Sequence, residues 1–412
     1  MQRTFPKSSY YDAFAEPKVK KALFNSRSPQ EHGHLRRTQA ALYSMTNVKS
    51  YESFVDSQTA ILIAKMEEFA KLGRVVSLPS LLQKYAFDVV GAITFGESFN
   101  LMQSPTDDIG VIDMIDKAMV LSSVIGIFPE VWAPLVTVLE MLHLPSPKVL
   151  YNVAIRFLEQ YKQREKAEND SITSSPFAKT FTAKIVHLEG EGKMTDWEAQ
   201  SVCVNNIIAG SDTTAISLNA ALYHIYTIPR VLGGLRNEIE SMTKQGMISD
   251  PVTFEEAQNM PYLQAVISEA LRIHPAVGVS LAREVPEGGA SINGHFFPEG
   301  TEVGVNAWGL SYNKDLYGAD VHEYRPERWF ERSIGTTTSS ISQFAFGGGS
   351  RTCIGKNISL LEMNKVIPQI VRRFDISIDS KSSPWVLSTH WFVKQYYDCI
   401  VRSRGDTELE KA

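Results

Sequence analysis

The chain has 412 residues, 43% of them apolar and 21% charged, with a formal net charge of −5. That length allows a large core, and the absence of a basic excess excludes a nucleic-acid binder that works by overall charge. Its three cysteines, Cys203, Cys353 and Cys399, are odd in number and far apart, which excludes a disulfide framework and fits a reducing compartment.

In chain order, residues 1–14 (MQRTFPKSSYYDAF) show neither a long apolar run nor a signal-peptide pattern. A basic stretch, His32-Gly-His-Leu-Arg36-Arg37, follows. Residues 85–99 (YAFDVVGAITFGESF) read as a buried helix that ends near Gly96. The region from Met119 to Leu144 is the most apolar, but Pro129, Glu130, Pro134 and Glu140 interrupt it. A spanning helix needs about 20 apolar residues with few charges, so none is expected there. Within it, Phe128 and Trp132 are candidates equally for substrate contact and for core packing.

Residues 149–170 read as an amphipathic helix that turns polar towards a loop at SITSSP, 171–176. Thr195 and Glu198 stand in capping-box spacing and open a helix that Pro229 stops. Roughly 32 residues at 1.5 Å each make it about 48 Å long. Helical spacing puts Asn205, Ala209 and Thr213 on one of its faces. In YLQAVISEALRIHP, i,i+3 spacing puts Glu269 and Arg272 together. Strand-like alternation comes late, in 277–285, 301–308 and the C-terminal pair WVLSTHWFV and YYDCIVRS. A mainly helical α+β enzyme with a small sheet to one side is expected.

Residues 344–355, FAFGGGSRTCIG, put Cys353 behind three consecutive glycines. The following residues read as a helix, so the sulfur stands at a helix N-terminus, where the dipole and unpaired amides favour a thiolate. Such a thiolate serves as a nucleophile, a zinc ligand or a haem ligand. A cysteine phosphatase would want arginine where Ser359 stands, and a structural zinc site would want paired ligands at short spacing. A papain-like nucleophile would need His and Asn partners.

Phe346, Gly349, Arg351, Cys353 and Gly355 fill every position of Phe-x-x-Gly-x-Arg-x-Cys-x-Gly. On this loop the chain resembles the cytochrome P-450 family, the haem-thiolate monooxygenases. The likeness covers nearly the whole length and is tightest over 195–395. FGGGSRTCIGKNIS, KYAFDVVGAITFG and HWFVKQ are most similar to filamentous-fungal members of the pisatin demethylase type. The resemblance implies haem b with Cys353 as axial ligand, and Arg351, Arg36 and Arg283 as propionate contacts. His32 stands where the family's propionate helix has tryptophan.

By the same resemblance Glu269, Arg272 and Arg328 (of Pro326-Glu327-Arg328) form a buried network that braces the cysteine loop. Ala209-Gly-Ser-Asp-Thr-Thr214 becomes the oxygen-binding face, where Asp212 and Thr213 relay protons. Substrate contacts are expected at Asn205, Ala209, Phe128, Trp132, Val277, Val279, Leu281 and the hairpin near His390. The implied fold is one catalytic domain, 1–412, lacking the family's usual N-terminal anchor and first sheet strands. Strands 277–285 and 301–308 are therefore expected to leave unpaired edges.

The implied activity is insertion of one oxygen atom from O2 into a lipophilic small molecule, as a tailoring step in fungal secondary metabolism. Electrons would come from NADPH through NADPH–cytochrome P-450 reductase, docking among Arg351, Lys356, Lys365, Arg372 and Arg373. The resemblance points to a monomer at the endoplasmic reticulum surface with peripheral membrane contact, or in the cytoplasm for a chain without the anchor. A haem-thiolate isomerase or dehydratase, an inactive haem-binding remnant and a cysteine hydrolase are the alternatives. The Asp212–Thr213 pair favours the monooxygenase.

Overall fold

The computed structural model describes residues 5–15, 17, 20–104, 107, 110–142, 148–168, 179–331, 344–378 and 384–405. The loop expected at 171–176 lies outside them. Helices are α1 Pro29–Ala40, α2 Met45–Ser50, α3 Glu52–Leu72, α4 Leu78–Phe95, α5 Val111–Ile125, α6 Trp132–Met141, α7 Lys148–Glu168 and α8 Phe181–Gly190. They continue as α9 Asp196–Thr227, α10 Pro229–Lys244, α11 Phe254–Gln258, α12 Pro261–Ile273, α13 Ala307–Ser311, α14 Lys314–Tyr317 and α15 Lys356–Arg373. Strands are β1 Val75–Ser77, β2 Leu281–Glu284, β3 Ala290–Ile292, β4 His295–Phe297 and β5 Glu302–Val305. The last four are β6 Phe374–Ser377, β7 Val386–Thr389, β8 Val393–Tyr396 and β9 Asp398–Ser403. The fold is α+β and mainly helical.

The chain forms two compact units. The first comprises Met1–Leu42, Asp107–Ile208 and Val279–Asn306. In it Ser28 caps α1 by accepting from the Glu31 amide, with Pro29 in the first turn. The opening of α9 is a reciprocal capping box. The Thr195 amide and hydroxyl donate to Glu198 Oε2 at 2.8 and 2.9 Å, and the Glu198 amide donates to Thr195 Oγ1 at 3.3 Å. His34 of α1 meets the other oxygen of Glu198 at 2.8 Å. Tyr11, Leu35, Ile115, Leu158, Phe181 and Ile185 are among its buried core residues.

In the first unit's small sheet β2 pairs antiparallel with β5, Leu281 opposite Val305 and Glu284 opposite Glu302. The other edge of β2 was expected to be bare, and it is not. Lys7 bridges Arg283, and the Glu284 amide donates to Pro6 O at 2.9 Å. Lys7 is buried with its ammonium 3.8 Å from the Tyr11 ring centre and 4.0 Å from that of Phe24. Tyr11 of the SSYYDAF stretch and Phe24 thus help hold this covering segment down.

The second unit comprises Tyr43–Thr106, Ala209–Gly278 and Ala307–Ala412. Its antiparallel sheet runs β1-β9-β6, and α3 packs on α4, α15 and β9. Helix α4 ends where glycine dictates, with Gly96 left-handed at φ 80°. It begins at Leu78, ahead of the expected start at residue 85, with Pro79 in its first turn. The expected strand 277–285 is only partly a strand. Leu281–Glu284 forms β2, while Val277 instead bridges Phe392 beside the β7–β8 hairpin. There the Gly278 amide donates to Trp391 O and the Val393 amide to Ala276 O, both at 3.0 Å.

Candidate active site

The cysteine loop is two 3-10 turns, Phe344–Phe346 and Gly349–Arg351. Gly347 and Gly349 take left-handed φ values of 72° and 62°, a conformation that side-chain-bearing residues seldom adopt. At Gly349 a Cβ would meet nothing within 4 Å, so backbone angle and not crowding demands glycine there. The Cys353 amide donates to Phe346 O at 2.8 Å and closes the loop. Helix α15 starts at Lys356, and its N-cap, Gly355, offers no side-chain acceptor to the first-turn amides. The positive end of the helix thus begins three residues after the sulfur-bearing Cys353.

Cys353 is exposed, whereas Cys203 and Cys399 are buried. Burial pushes both of those thiols up to about 12. Lys356 lies near enough to feel Cys353: burial lowers its pKa, and a negative charge on the sulfur opposes that shift. Its ammonium stands 5.8 Å from the Phe346 ring centre. Among the described residues no group of three His, Cys, Asp or Glu could hold a metal ion. A single accessible thiol just ahead of a helix start, with no cluster of Cys, His or carboxylate ligands grouped around it among the described residues, fits an iron–thiolate ligand better than a zinc site.

Glu269 and Arg272 on α12 form a two-pronged pair, Arg272 Nη2 to Oε1 at 2.7 Å and Nε to Oε2 at 2.9 Å. Arg328, from the 3-10 turn Pro326–Phe330, donates Nε to Glu269 Oε1 at 2.9 Å. All three side chains are fully buried, so each remaining donor needs an acceptor. Arg272 finds Ser311 O and Val321 O, both at 2.9 Å, and Arg328 finds Tyr317 O at 2.8 Å and Asp320 at 3.2 Å. Trp329 Nε1 donates to Glu269 Oε2 at 3.1 Å. Helix α12 also packs against the turn Phe344–Phe346 that opens the cysteine loop. Trp329 and Asp320 escaped the sequence reading because neither belongs to the motif and nothing in the sequence signals which way their side chains point.

On α9, Thr213 Oγ1 donates to Ala209 O at 2.8 Å. Ala209 is exposed, and Asn205 and Thr213 are half-buried. A Cβ on Gly210 would come within 2.9 Å of Val90 Cγ2, so glycine lets α4 approach the helix here. Asp212 is turned elsewhere. Its carboxylate, 1% exposed, accepts from Gln83 Nε2 at 2.7 Å and pairs with Lys394 Nζ at 3.2 Å. Successive helix positions point about 100° apart, so the acid and the hydroxyl do not share a face. Neither Gln83 nor Lys394 could be foreseen, since both arrive from elements remote in sequence.

The other expected site residues fall in the two units separately. In the first, Arg36 is half-buried on α1, and Arg283 donates to Ala282 O at 2.7 Å and Tyr11 OH at 3.5 Å. Val279 and Leu281 are half-buried. Phe128 is 57% exposed, but Trp132 is 4% exposed and donates Nε1 to Ala15 O at 2.6 Å, which makes it a core residue. In the second, Arg351 and Val277 are half-buried and His390 is exposed. Lys365, expected on a docking surface, is 1% exposed and paired with Glu52 and Asp56 at 2.8 Å each. Arg372 and Arg373 pair with Asp250 at 3.4 and 2.6 Å.

The family model described as Cytochrome P-450 matches residues 2–396. The chain belongs to the cytochrome P-450 family, whose members hold haem iron through a thiolate, and it is a monooxygenase of that family. Two pisatin demethylases of Fusarium vanettenii are similar to it. One is 44% identical over 97% of this chain and 76% of that protein. The other is 42% identical over 97% of this chain and 78% of that protein. The cytochrome P-450 monooxygenase cicH of Emericella nidulans is 33% identical over 98% of this chain and 82% of that protein.

Proposed function

We propose that this monooxygenase inserts one oxygen atom from O2 into a lipophilic small molecule during the tailoring of a fungal secondary metabolite, with Cys353 as the residue whose thiolate would hold the haem iron. The observation that carries the reading is the accessible Cys353 thiol at the start of α15, in a loop whose glycines hold left-handed angles. When bound, the haem supplies the activation of dioxygen, to which a thiolate ligand contributes electron density. Gly355 leaves the backbone bare beside the sulfur, where an added Cβ would lie 3.9 Å from Cys353 Sγ. Arg351, Arg36 and Arg283 would supply the positive charge for the haem's propionates. Glu269, Arg272 and Arg328 hold the turn that carries the loop.

Thr213 and Asp212 manage protons on α9. Hydroxyl and carboxylate are the two group types suited to passing a proton inwards from water. Asn205, Phe128, Val279 and Leu281 of the first unit, and Ala209, Val277 and His390 of the second, are each candidates for contact with the substrate. Reducing equivalents come from NADPH through NADPH–cytochrome P-450 reductase. No helix among the described residues is long and apolar enough to cross a membrane. Val124, Ile127, Phe128 and Val131 nevertheless expose apolar surface around the α5–α6 turn, which supports peripheral contact with the endoplasmic reticulum membrane.

Expression of the wild type and of Cys353→Ala tests the reading. The reduced carbonyl complex of the wild type should show the thiolate-type absorption band, and the variant should lack it. Cys203→Ala and Cys399→Ala should keep it. A thiolate-type spectrum in Cys353→Ala would overturn the assignment.

A further inference from the structure

The motif HWFVKQ, residues 390–395, ends on Lys394 and Gln395. Both grip α9. Lys394 Nζ stands 3.2 Å from Asp212 Oδ1, and Gln395 Nε2 donates to Ile216 O at 3.0 Å. Asp212 and Ile216 are four positions apart and so lie one above the other on the helix. Strand β8 is therefore fixed to α9 at two points one turn apart, and the amide of Gln83 from α4 completes the hold on the carboxylate. A buried carboxylate needs such partners, because desolvation of the charge costs several kcal/mol if it is left alone.

Exposure is unequal along this line. The Asp212 side chain is 1% exposed and that of Lys394 16%. The lysine, and not the acid, is what meets water. Its ammonium also draws the carboxylate towards β8, away from the Ala209–Thr213 face.

We propose that Lys394 is the positioning residue of the relay acid and the solvent-side end of its proton route. This rests on the reading of Asp212 and Thr213 as the proton relay. Water beside Lys394 passes a proton to the Asp212 carboxylate and regains one from bulk solvent. The acid passes it through water towards Thr213 and returns to the anion, so the cycle consumes only the proton. The β7–β8 hairpin, whose turn pairs with Ala276–Gly278, thereby sets where the acid sits.

The test uses the haem-loaded protein as Lys394→Met, Lys394→Arg, Asp212→Asn and the Lys394→Met/Asp212→Asn double variant. Peroxide recovered per dioxygen consumed is read with NADPH and reductase and no organic substrate. Amide hydrogen exchange over residues 209–216 and the denaturant midpoint are read alongside. Lys394→Met should raise the peroxide fraction severalfold and speed exchange in that turn. Lys394→Arg should restore both, and the double variant should be no worse than Asp212→Asn. If Asp212→Asn raises peroxide but Lys394→Met does not, the lysine has no part in the route and the inference fails alone. If Lys394→Arg behaves like Lys394→Met, the charge is not what matters and the inference is likewise overturned. If Asp212→Asn leaves peroxide unchanged, the relay reading falls and takes the inference with it.

Discussion

Two guanidinium groups against one carboxylate is an arrangement that only works dry if every other donor is satisfied, and around Glu269 they are carried off by backbone carbonyls. Arg328→Ala should therefore cost about 3–5 kcal/mol in denaturant unfolding, the scale for breaking one side of a buried pair. Arg328→Lys should not rescue it, because an ammonium cannot reproduce the planar fork. A loss below about 1 kcal/mol, the range of surface pairs, would show that the network is dispensable. Glu256 offers a contrast near the surface. Burial works against its anion, but hydrogen bonds from Ser249 and Thr253 outweigh it and lower the carboxyl from 4.5 to about 2. A depressed pKa stabilises the fold fully above the unfolded value and loses that contribution as pH falls through the folded one. Glu256→Gln should thus cost at most about 1 kcal/mol at neutral pH, since solvent screens the site. The gap from wild type should close between about 4.5 and 2; a gap that persists at the acid end would refute the charge as its cause.

Helix ends were legible wherever a local rule sets them. Thr195 and Glu198 open α9, Pro229 follows its end, and Gly96 stops α4. The start of α4 was not, because Ser77 makes no side-chain cap and Leu78-Pro79-Ser80 follows the strand β1 without an intervening turn. The split of 277–285 was equally hidden. Gly278 pairs with Trp391, a partner more than a hundred residues away that no window of sequence contains. In the site, the complete loop motif singled out Cys353, and the resemblance it carries, not spacing, pointed to Glu269, Arg272 and Arg328, whereas Gln83 and Lys394 depend on how β8 and α4 meet α9. The hairpin contact makes its own forecast. A Cβ on Gly278 would fall 2.7 Å from Val393 Cγ2 and 3.1 Å from Thr389 Cγ2. Gly278→Ala should destabilise by about 1–3 kcal/mol, as overpacked positions do, with faster hydrogen exchange in 386–396. An unchanged unfolding midpoint would mean that the hairpin shifts freely.

At the scale of the whole molecule, a formal charge of −5 leaves electrostatic docking to local patches. Lys365 is not part of one. Its ion pairs to Glu52 and Asp56 tie α15 to α3, so Lys365→Glu should lower stability at every salt concentration instead of slowing reduction at low salt. Reduction slowed without loss of stability would return Lys365 to the docking surface. The apolar turn between α5 and α6 makes an opposite forecast. Ile127→Asp with Phe128→Asp should weaken binding to anionic lipid vesicles and leave the unfolding midpoint within about 0.5 kcal/mol of wild type, as exposed substitutions do; undiminished binding would exclude this turn as the contact. The unequal exposure of the three cysteines reaches beyond catalysis. Cys203 and Cys399 are enclosed, with thiols pushed up to about 12, and only Cys353 opens to solvent. A thiol-reactive dye at neutral pH should accordingly mark the cofactor-free protein once and the loaded protein not at all. Labelling stoichiometry then becomes a gauge of cofactor occupancy, usable in turbid or coloured preparations where absorbance fails.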